Sequence, residues 1–443
     1  MEALLKWAAE LGVSDSPSPS PPPLSSSPSG TTSSSSPSSC LGRSLVVADF
    51  PDAGGRGLAA AHDLRRGELV LRAPRAALLT SDRVTADDPR IAACVNAHRP
   101  RLSSVQILIV CLLAEVGKGR NSVWYPYLSQ LPSYYTILAT FNDFEVETLQ
   151  VSSRTLHIAW DEAGCLCAVG DLFNYAVPDD DTLLEEEDTA ELTNCQQKNE
   201  LNNSSERLTD GGYEDSNAYC LYARKKYKKG EQVLLGYGTY TNLELLEHYG
   251  FLLGENPNEK TFIELDLDIC SVGTWPKDSM YIHRNGHPSF ALLCALRLWS
   301  TPANRRKAVS HQIYSGSILS TKNEMGILKW LISKCEGTLQ QLPTTVEFDE
   351  SLLVFLRTIQ NSSNCRTDVK RSGFEQEFAV FPRVHQVELD CSGNNQLPAR
   401  LLRSLERWEL AVQWRCNYKK ILKKCVSYCE SLVLELPLQL NQQ

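Results

Sequence analysis

Residues 229–252 place two tyrosines in an order that restricts the fold more than any other part of the chain. A turn at Gly230 leads into the apolar strand 232–236, which ends on Tyr237 and Gly238. A helical pattern follows at once and carries Tyr249 into a second glycine. Glycine is typical of the sharp bends that bound short strands and helices. Few folds set one phenol at the end of a strand and another at the end of the next helix.

Length and composition indicate a globular protein with two domains. The 443 residues are 42% apolar and 22% charged, which is enough to bury a core in each of two domains. The formal charge of −9 argues against a protein that holds nucleic acid through its overall field. We interpret the basic run 224–229 as a solvated strand edge and turn, with a partner-binding surface as the alternative.

The cysteines and the apolar runs indicate a protein of a reducing, intracellular compartment. The 15 cysteines are scattered and include no C-x-x-C pair, so neither a disulfide framework nor a metal site is expected. Cys165 and Cys167 alternate in an extended pattern that favours strand packing over a pair of metal ligands. No run of 18 apolar residues occurs, so no membrane span is expected.

Composition divides the chain into three parts. Residues 1–40 predict a short amphipathic helix followed by a disordered Ser/Pro-rich tail, which is too polar to form a core. Residues 41–254 read as short strands with helices between them, including a glycine turn at 54–57 and an acidic, flexible insert at 178–217. Residues 255–443 read as an all-helical domain, with helices expected at 290–299, 321–334, 349–359 and 398–432.

Three segments, taken in order, resemble the SET-domain methyltransferases. They are the glycine turn continued by Leu58 and by Gly67-Glu68, the central motif Asp171-Leu172-Phe173-Asn174, and the closing segment from Gly230 to Phe251. The wider pattern is similar to the branch that contains the Rubisco large-subunit lysine methyltransferase. This resemblance implies a mixed fold, in which a β-rich SET domain of small sheets and inserted helices precedes an all-α substrate-binding domain, and it suggests a plant protein.

The resemblance also implies a chemistry and a set of residues. S-adenosyl-L-methionine would donate a methyl group to a lysine amine of a non-histone protein that docks on the helical domain. Tyr237 would lie beside the reacting methyl and amine, and Tyr249 would be a second wall of that pocket. Cofactor contacts are expected from Gly55, Arg56, Gly57, Leu58, Asn174, Tyr175 and Tyr237, and the substrate channel from Ser153 and Arg154.

The chain departs from the family pattern at two places. Most relatives have Asn-His where this chain has Asn174-Tyr175, which puts cofactor affinity in question. Relatives also carry a long helical insert that is shortened here near residues 144–153, and this change predicts a poorly walled lysine channel. Two alternatives therefore stay open, a catalytically weak SET-fold binding module and a protein-histidine N-methyltransferase.

Several expectations concern partners and location. We expect a monomer that binds a protein substrate, with no membrane association and no direct contact with nucleic acid. The N-terminal helix carries Glu2 and Glu10, whereas organelle transit peptides avoid acidic residues. The sequence therefore predicts a nuclear or cytoplasmic protein rather than a chloroplast protein.

Overall fold

The computed structural model describes residues 1–16, 39–51, 55–132, 154–158, 160–176, 212–215, 217–236, 238–273, 275–360, 365–384 and 397–440. The chain forms two compact units, with the boundary between Thr239 and Tyr240. The Ser/Pro-rich segment 17–38, most of the acidic insert 178–217 and the shortened stretch 144–153 lie outside the described residues. None of the described helices is both long and apolar enough to cross a membrane.

Short strands in small sheets make up much of the first unit. Its described strands are β1 (Leu45–Phe50), β2 (Gly55–Ala60), β3 (Leu69–Pro74), β4 (Leu78–Leu79), β5 (Thr155–Ile158), β6 (Asp161–Cys167), β7 (Asn174–Ala176), β8 (Gly212–Asp215), β9 (Ala218–Tyr222) and β10 (Leu234–Gly236). Its described α-helices are α1 (Glu2–Glu10), α2 (Ser81–Asp87), α3 (Pro89–His98), α4 (Ser104–Lys118) and α5 (Tyr125–Leu128).

The strands of this unit pair in four sheets within the described residues. The antiparallel sheets have the strand orders β1-β2, β3-β9-β8 and β4-β6-β5, whereas β7 and β10 pair in parallel. Cys165 and Cys167 are both buried in β6, so both thiols pack in the interior. The parallel pair sets Asn174 opposite Leu234, shortly before Tyr237 in the sequence, and so brings two of the predicted site segments together.

The predicted turn at 54–57 is wrong for Gly55, Arg56 and Gly57, which begin strand β2. This strand pairs with β1 from Phe50 opposite Gly55 to Leu45 opposite Ala60. Leu58 and the two alanines after it are buried in the core. Pairing with β1 provides hydrogen-bond partners for the backbone groups of this buried segment. Gly55 has a φ of 75°, a left-handed conformation that glycine adopts without strain.

The predicted N-terminal helix is present as α1, and it packs into the first unit. Leu4 and Ala8 are buried, and the Trp7 ring meets Trp124 edge to face at 5.5 Å between centroids. Asp15 follows the helix, and its Oδ2 accepts hydrogen bonds from the four backbone N–H groups of residues 42–45 at 2.8–3.0 Å. A single carboxylate thus ties the end of the N-terminal segment to the start of β1.

The second unit confirms the predicted helical character. Its described helices are α6 (Asn242–His248), α7 (Leu267–Ser271), α8 (Phe290–Trp299), α9 (Ala303–Tyr314), α10 (Thr321–Gln341), α11 (Val346–Gln360), α12 (Cys365–Ser372), α13 (Glu375–Val384) and α14 (Ala399–Leu440). The structure adds a two-stranded ribbon of β11 (Lys260–Thr261) and β12 (Ile282–His283). Helices α10 and α11 pack along α14, the longest element.

Candidate functional site

Strand β2 brings its backbone against the side chain of Asn174. A Cβ atom at Gly57 would lie 2.8 Å from Asn174 Nδ2 and 2.8 Å from Gln232 Nε2. Asn174 Nδ2 also donates a long hydrogen bond of 3.5 Å to the backbone oxygen of Arg56. Only a glycine at position 57 lets both amides approach the strand this closely, which gives this residue a clear physical role.

Arg56 and Asn174 line a cavity of about 240 Å³ in the first unit. Arg154 lines the same cavity, so two of the predicted cofactor residues and one predicted substrate residue meet there. Leu4 of α1 contributes to the wall, which shows why the packing of the N-terminal helix matters for this site. Ser153, predicted together with Arg154, lies outside the described residues.

A buried hydrogen-bonded group forms part of the wall of this cavity. Tyr127 from α5 donates a hydrogen bond to Asp171 Oδ2 at 2.5 Å, and Arg154 Nη1 lies 3.3 Å from the same oxygen. Burial raises the pKa of Asp171 above 3.8, although Arg154 and Tyr127 both favour the carboxylate. Burial also raises the pKa of Tyr127 well above 10, so its hydroxyl stays protonated and donates.

The sequence reasoning gave Tyr127, Asp171 and Gln232 no functional role. Asp171 is the only charged residue among positions 163–176, which are otherwise mostly apolar or small. A single carboxylate in such a segment indicates a side chain that is buried and paired. Tyr127 is one of three aromatic residues in the segment 124–132. No sequence signal tells it apart from its neighbours, because its partner lies 44 positions away.

Tyr175 stands where the family resemblance predicts histidine, and its side chain has a partner in this structure. Its hydroxyl donates a hydrogen bond to the backbone oxygen of Gly238 at 3.0 Å. This contact ties β7 to the segment that follows Tyr237, in addition to the parallel pairing of β7 with β10. Tyr237 itself lies outside the described residues, so its predicted position beside the reacting groups stays a prediction.

Two other predicted site residues, Leu58 and Tyr249, do not line this cavity. The side chain of Leu58 is fully buried in the core, so only its backbone is available to a cofactor. Tyr249 follows helix α6 in the second unit, and its ring lies 5.4 Å from that of Tyr240. Its role as a pocket wall stays a prediction. Among the described residues, no group of three or more His, Cys, Asp or Glu side chains is arranged to hold a metal ion.

Comparison with known proteins identifies a family model and several relatives that are similar to this chain. A family model described as Rubisco LSMT substrate-binding matches residues 243–422. Protein SET DOMAIN GROUP 40 of Arabidopsis thaliana is 43% identical over 493 positions, which cover 97% of this chain and 95% of that protein. The actin-histidine N-methyltransferase of Homo sapiens is 24% identical, over 86% of this chain and 76% of that protein.

A solved structure supports the fold. The SET domain of LSMT bound to MeLysine and AdoHcy matches with a TM-score of 0.53 and 16% identity, over 89% of this chain and 88% of that one. The alignment with the Arabidopsis protein runs over 493 positions, more than the 443 residues of this chain, so at least 50 positions of that relative have no counterpart here. The chain belongs to the SET-domain methyltransferases, in the branch that carries a Rubisco LSMT substrate-binding domain.

Proposed function

We propose that the chain is an S-adenosyl-L-methionine-dependent protein-lysine N-methyltransferase that acts on a non-histone protein. One observation carries the proposal: Arg56, Asn174 and Arg154, predicted for cofactor and substrate, line a single cavity. AdoHcy is what remains of S-adenosyl-L-methionine once its methyl group has been transferred, and the LSMT structure holds it together with a methylated lysine. That pair of ligands supports both the donor and the acceptor proposed here.

The residues of the cavity suit the methionine portion of this cofactor. The amide of Asn174 offers donors and an acceptor to its amino and carboxylate groups, and the guanidinium of Arg56 offers positive charge to the carboxylate. Gly57 keeps the strand beside Asn174 free of a side chain, which leaves room for close backbone approach. When bound, the cofactor supplies a methyl group activated by a sulfonium centre.

The chain's own residues would then align the acceptor and exclude water. Transfer requires a neutral amine in line with the methyl group, so orientation supplies most of the rate enhancement. Arg154, held by Asp171, would position the substrate segment, and Tyr237 would orient the amine through its hydroxyl. A phenol whose pKa is near 10 in water acts here as a hydrogen-bonding group rather than as a base.

Two candidate functions differ in the substrate residue that accepts the methyl group, lysine or histidine. The human relative named for histidine methylation supports a histidine acceptor, whereas the LSMT complex with MeLysine supports lysine. The positions that this chain lacks relative to the Arabidopsis protein support the third alternative, a weakly catalytic binding module. The helical second unit, matched over 243–422, is the surface on which we propose that the protein substrate docks.

The test is methyl transfer from radiolabelled cofactor to the proteins of a plant extract. We expect labelled methyl-lysine after hydrolysis with the wild-type chain, and little label with Tyr237→Phe. Labelled methyl-histidine would establish the second candidate instead. If no protein is labelled although the cofactor binds, the binding module is the better description.

A further inference from the structure

A second cavity, of about 260 Å³, lies within the second unit. It is lined by residues from the start of α6, from strand β11 with its flanking residues, and from helix α14. Its volume is below the range of roughly 300–1,000 Å³ that is typical of pockets for drug-sized ligands. It is therefore suited to one side chain or one small ion. Most of its lining residues fall within 243–422, the region proposed above for substrate docking, and none of them lines the cavity of the first unit.

Aromatic side chains form one part of this cavity. Trp414 and Tyr418 lie one turn apart on α14, and their rings stack with 5.4 Å between centroids and 23° between planes. Phe262, which follows β11, also lines the cavity and is 43% exposed. The Tyr418 hydroxyl donates a hydrogen bond of 3.1 Å to the backbone oxygen of Phe262. Aromatic faces carry negative charge density and attract cations.

A carboxylate without a counter-charge completes the lining. Glu259 is half-buried, and its Oε2 accepts a hydrogen bond of 3.0 Å from the backbone N–H of Asn242. Burial raises the pKa of Glu259, and the nearby negative charge of Glu244 raises it further. Among the described residues, no lysine, arginine or histidine forms an ion pair with it.

Lys260 also lines the cavity, but its amine has another partner. The Nζ atom lies 5.1 Å from the centre of the Tyr281 ring, in a cation–π contact, and Tyr281 is not part of the cavity wall. Within the described ranges, no ion pair joins this amine to the carboxylate of Glu259, which precedes β11. The cavity thus combines aromatic rings with a carboxylate that lacks a cation.

We propose that this cavity binds an organic cation, namely the ammonium or guanidinium group of a lysine or arginine side chain presented by a partner protein. The aromatic rings would attract the charge, Glu259 would neutralise it, and the small volume would limit the site to one side chain. Sites that recognise methylated ammonium groups use the same combination of rings and charge. The inference does not depend on methyl transfer, so it can be tested by binding alone.

The experiment measures binding of small probes to the full chain by saturation-transfer NMR and calorimetry. The probes are the N-acetyl methylamides of arginine, lysine and trimethyl-lysine, together with the neutral norleucine derivative. We expect saturable binding of at least one cationic probe and none of norleucine. Glu259→Gln, which keeps the acceptor for Asn242, should weaken cation binding about fivefold or more, and so should Trp414→Leu.

A matched control is available on the same segment. Glu264 is exposed and does not line the cavity, so Glu264→Gln should leave binding unchanged. Thermal unfolding of each variant verifies that it is folded. Equal binding of norleucine, equal losses in the two glutamate variants, or no binding of any probe would each overturn the proposal. If the arginine probe binds with higher affinity than the lysine probe, the partner presents arginine, and the reverse order identifies lysine.

Discussion

The Tyr127 hydroxyl donates a hydrogen bond to the buried carboxylate of Asp171, and Arg154 Nη1 lies 3.3 Å from the same oxygen. Helix α5 is thereby joined to the segment that leads into β7, which begins at Asn174, a proposed cofactor contact. We expect Tyr127→Phe to lower the free energy of unfolding by about 1.5–3 kcal/mol, because a hydrogen bond to a buried charged group is lost. Urea unfolding measures this; a change below about 0.5 kcal/mol would show that the bond is unimportant.

Asp171 should also make stability depend on pH. Its pKa is raised in the folded chain, so its contribution to stability is present below the unfolded value of 3.8 and is lost as pH rises through the raised pKa. The wild type should therefore lose stability relative to Asp171→Asn as pH rises from about 3.8 through that pKa. Paired urea unfolding curves over this range test it, and a difference that does not change with pH would contradict it.

Gly57→Ala should weaken cofactor binding without unfolding the chain. The new Cβ atom would displace the side-chain amides of Asn174 and Gln232, both of which are flexible ends that can move. We expect about tenfold weaker binding of S-adenosyl-L-methionine, with a loss of stability of about 1 kcal/mol or less. In Gly117→Ala, the control, the new Cβ atom meets nothing within 4 Å and should leave affinity unchanged. Equal affinities in both variants would count against the role of Gly57.

Tyr175→Phe should slow methyl transfer more than it weakens cofactor binding. The change removes the hydrogen bond to the Gly238 backbone, next to Tyr237, and leaves the strand pairing intact. Loss of one hydrogen bond predicts a turnover about three to ten times slower. Steady-state kinetics with Tyr125→Phe, an exposed tyrosine, as control would reveal the effect; an unchanged turnover would show that Tyr175 only fills space.

A buried ion pair in the second unit should contribute strongly to its stability. Lys419 and Asp349 are 1% and 0% exposed, and Lys419 Nζ lies 2.7 Å from Asp349 Oδ2. Because Arg415 also donates hydrogen bonds to Asp349, Lys419→Ala removes only part of the compensation of this carboxylate and should cost about 3 kcal/mol, the lower end of the range for a broken buried pair. The exposed pair of Lys423 and Glu347 offers a control, in which Lys423→Ala should cost less than about 1 kcal/mol. Similar losses in chemical unfolding of the two variants would contradict this difference.

Much of the fold could be predicted from local sequence. The helix at Phe290–Trp299 has the predicted bounds, and the strands that begin at Leu45 and Leu69 are also present, because periodicity and turn residues act over a few positions. The glycines within 54–57 predict a turn from local sequence alone, whereas residues 55–57 begin strand β2. Its extended conformation depends on pairing with β1 and on burial of Leu58, which local sequence does not reveal.

The candidate site, like the fold, could be predicted only in part. Asn174, Arg56 and Arg154 were predicted through the family resemblance, and the structure brings them to one cavity. The hydrogen bonds of Tyr127 with Asp171 and of Tyr175 with Gly238 join positions 44 and 63 residues apart. Such pairs depend on how separate elements pack, so one sequence without aligned relatives could not identify them.

We propose that the cavity beside Gly57 and Asn174 binds S-adenosyl-L-methionine. Calorimetric titration of the full chain with this cofactor, for the wild type and for Asn174→Ala, tests the claim most directly. We predict saturable binding at one site in the wild type and affinity at least about tenfold weaker in the variant, because a side-chain amide with several hydrogen bonds is removed. No binding to the wild type at millimolar cofactor, or equal affinity in the two proteins, would contradict the account.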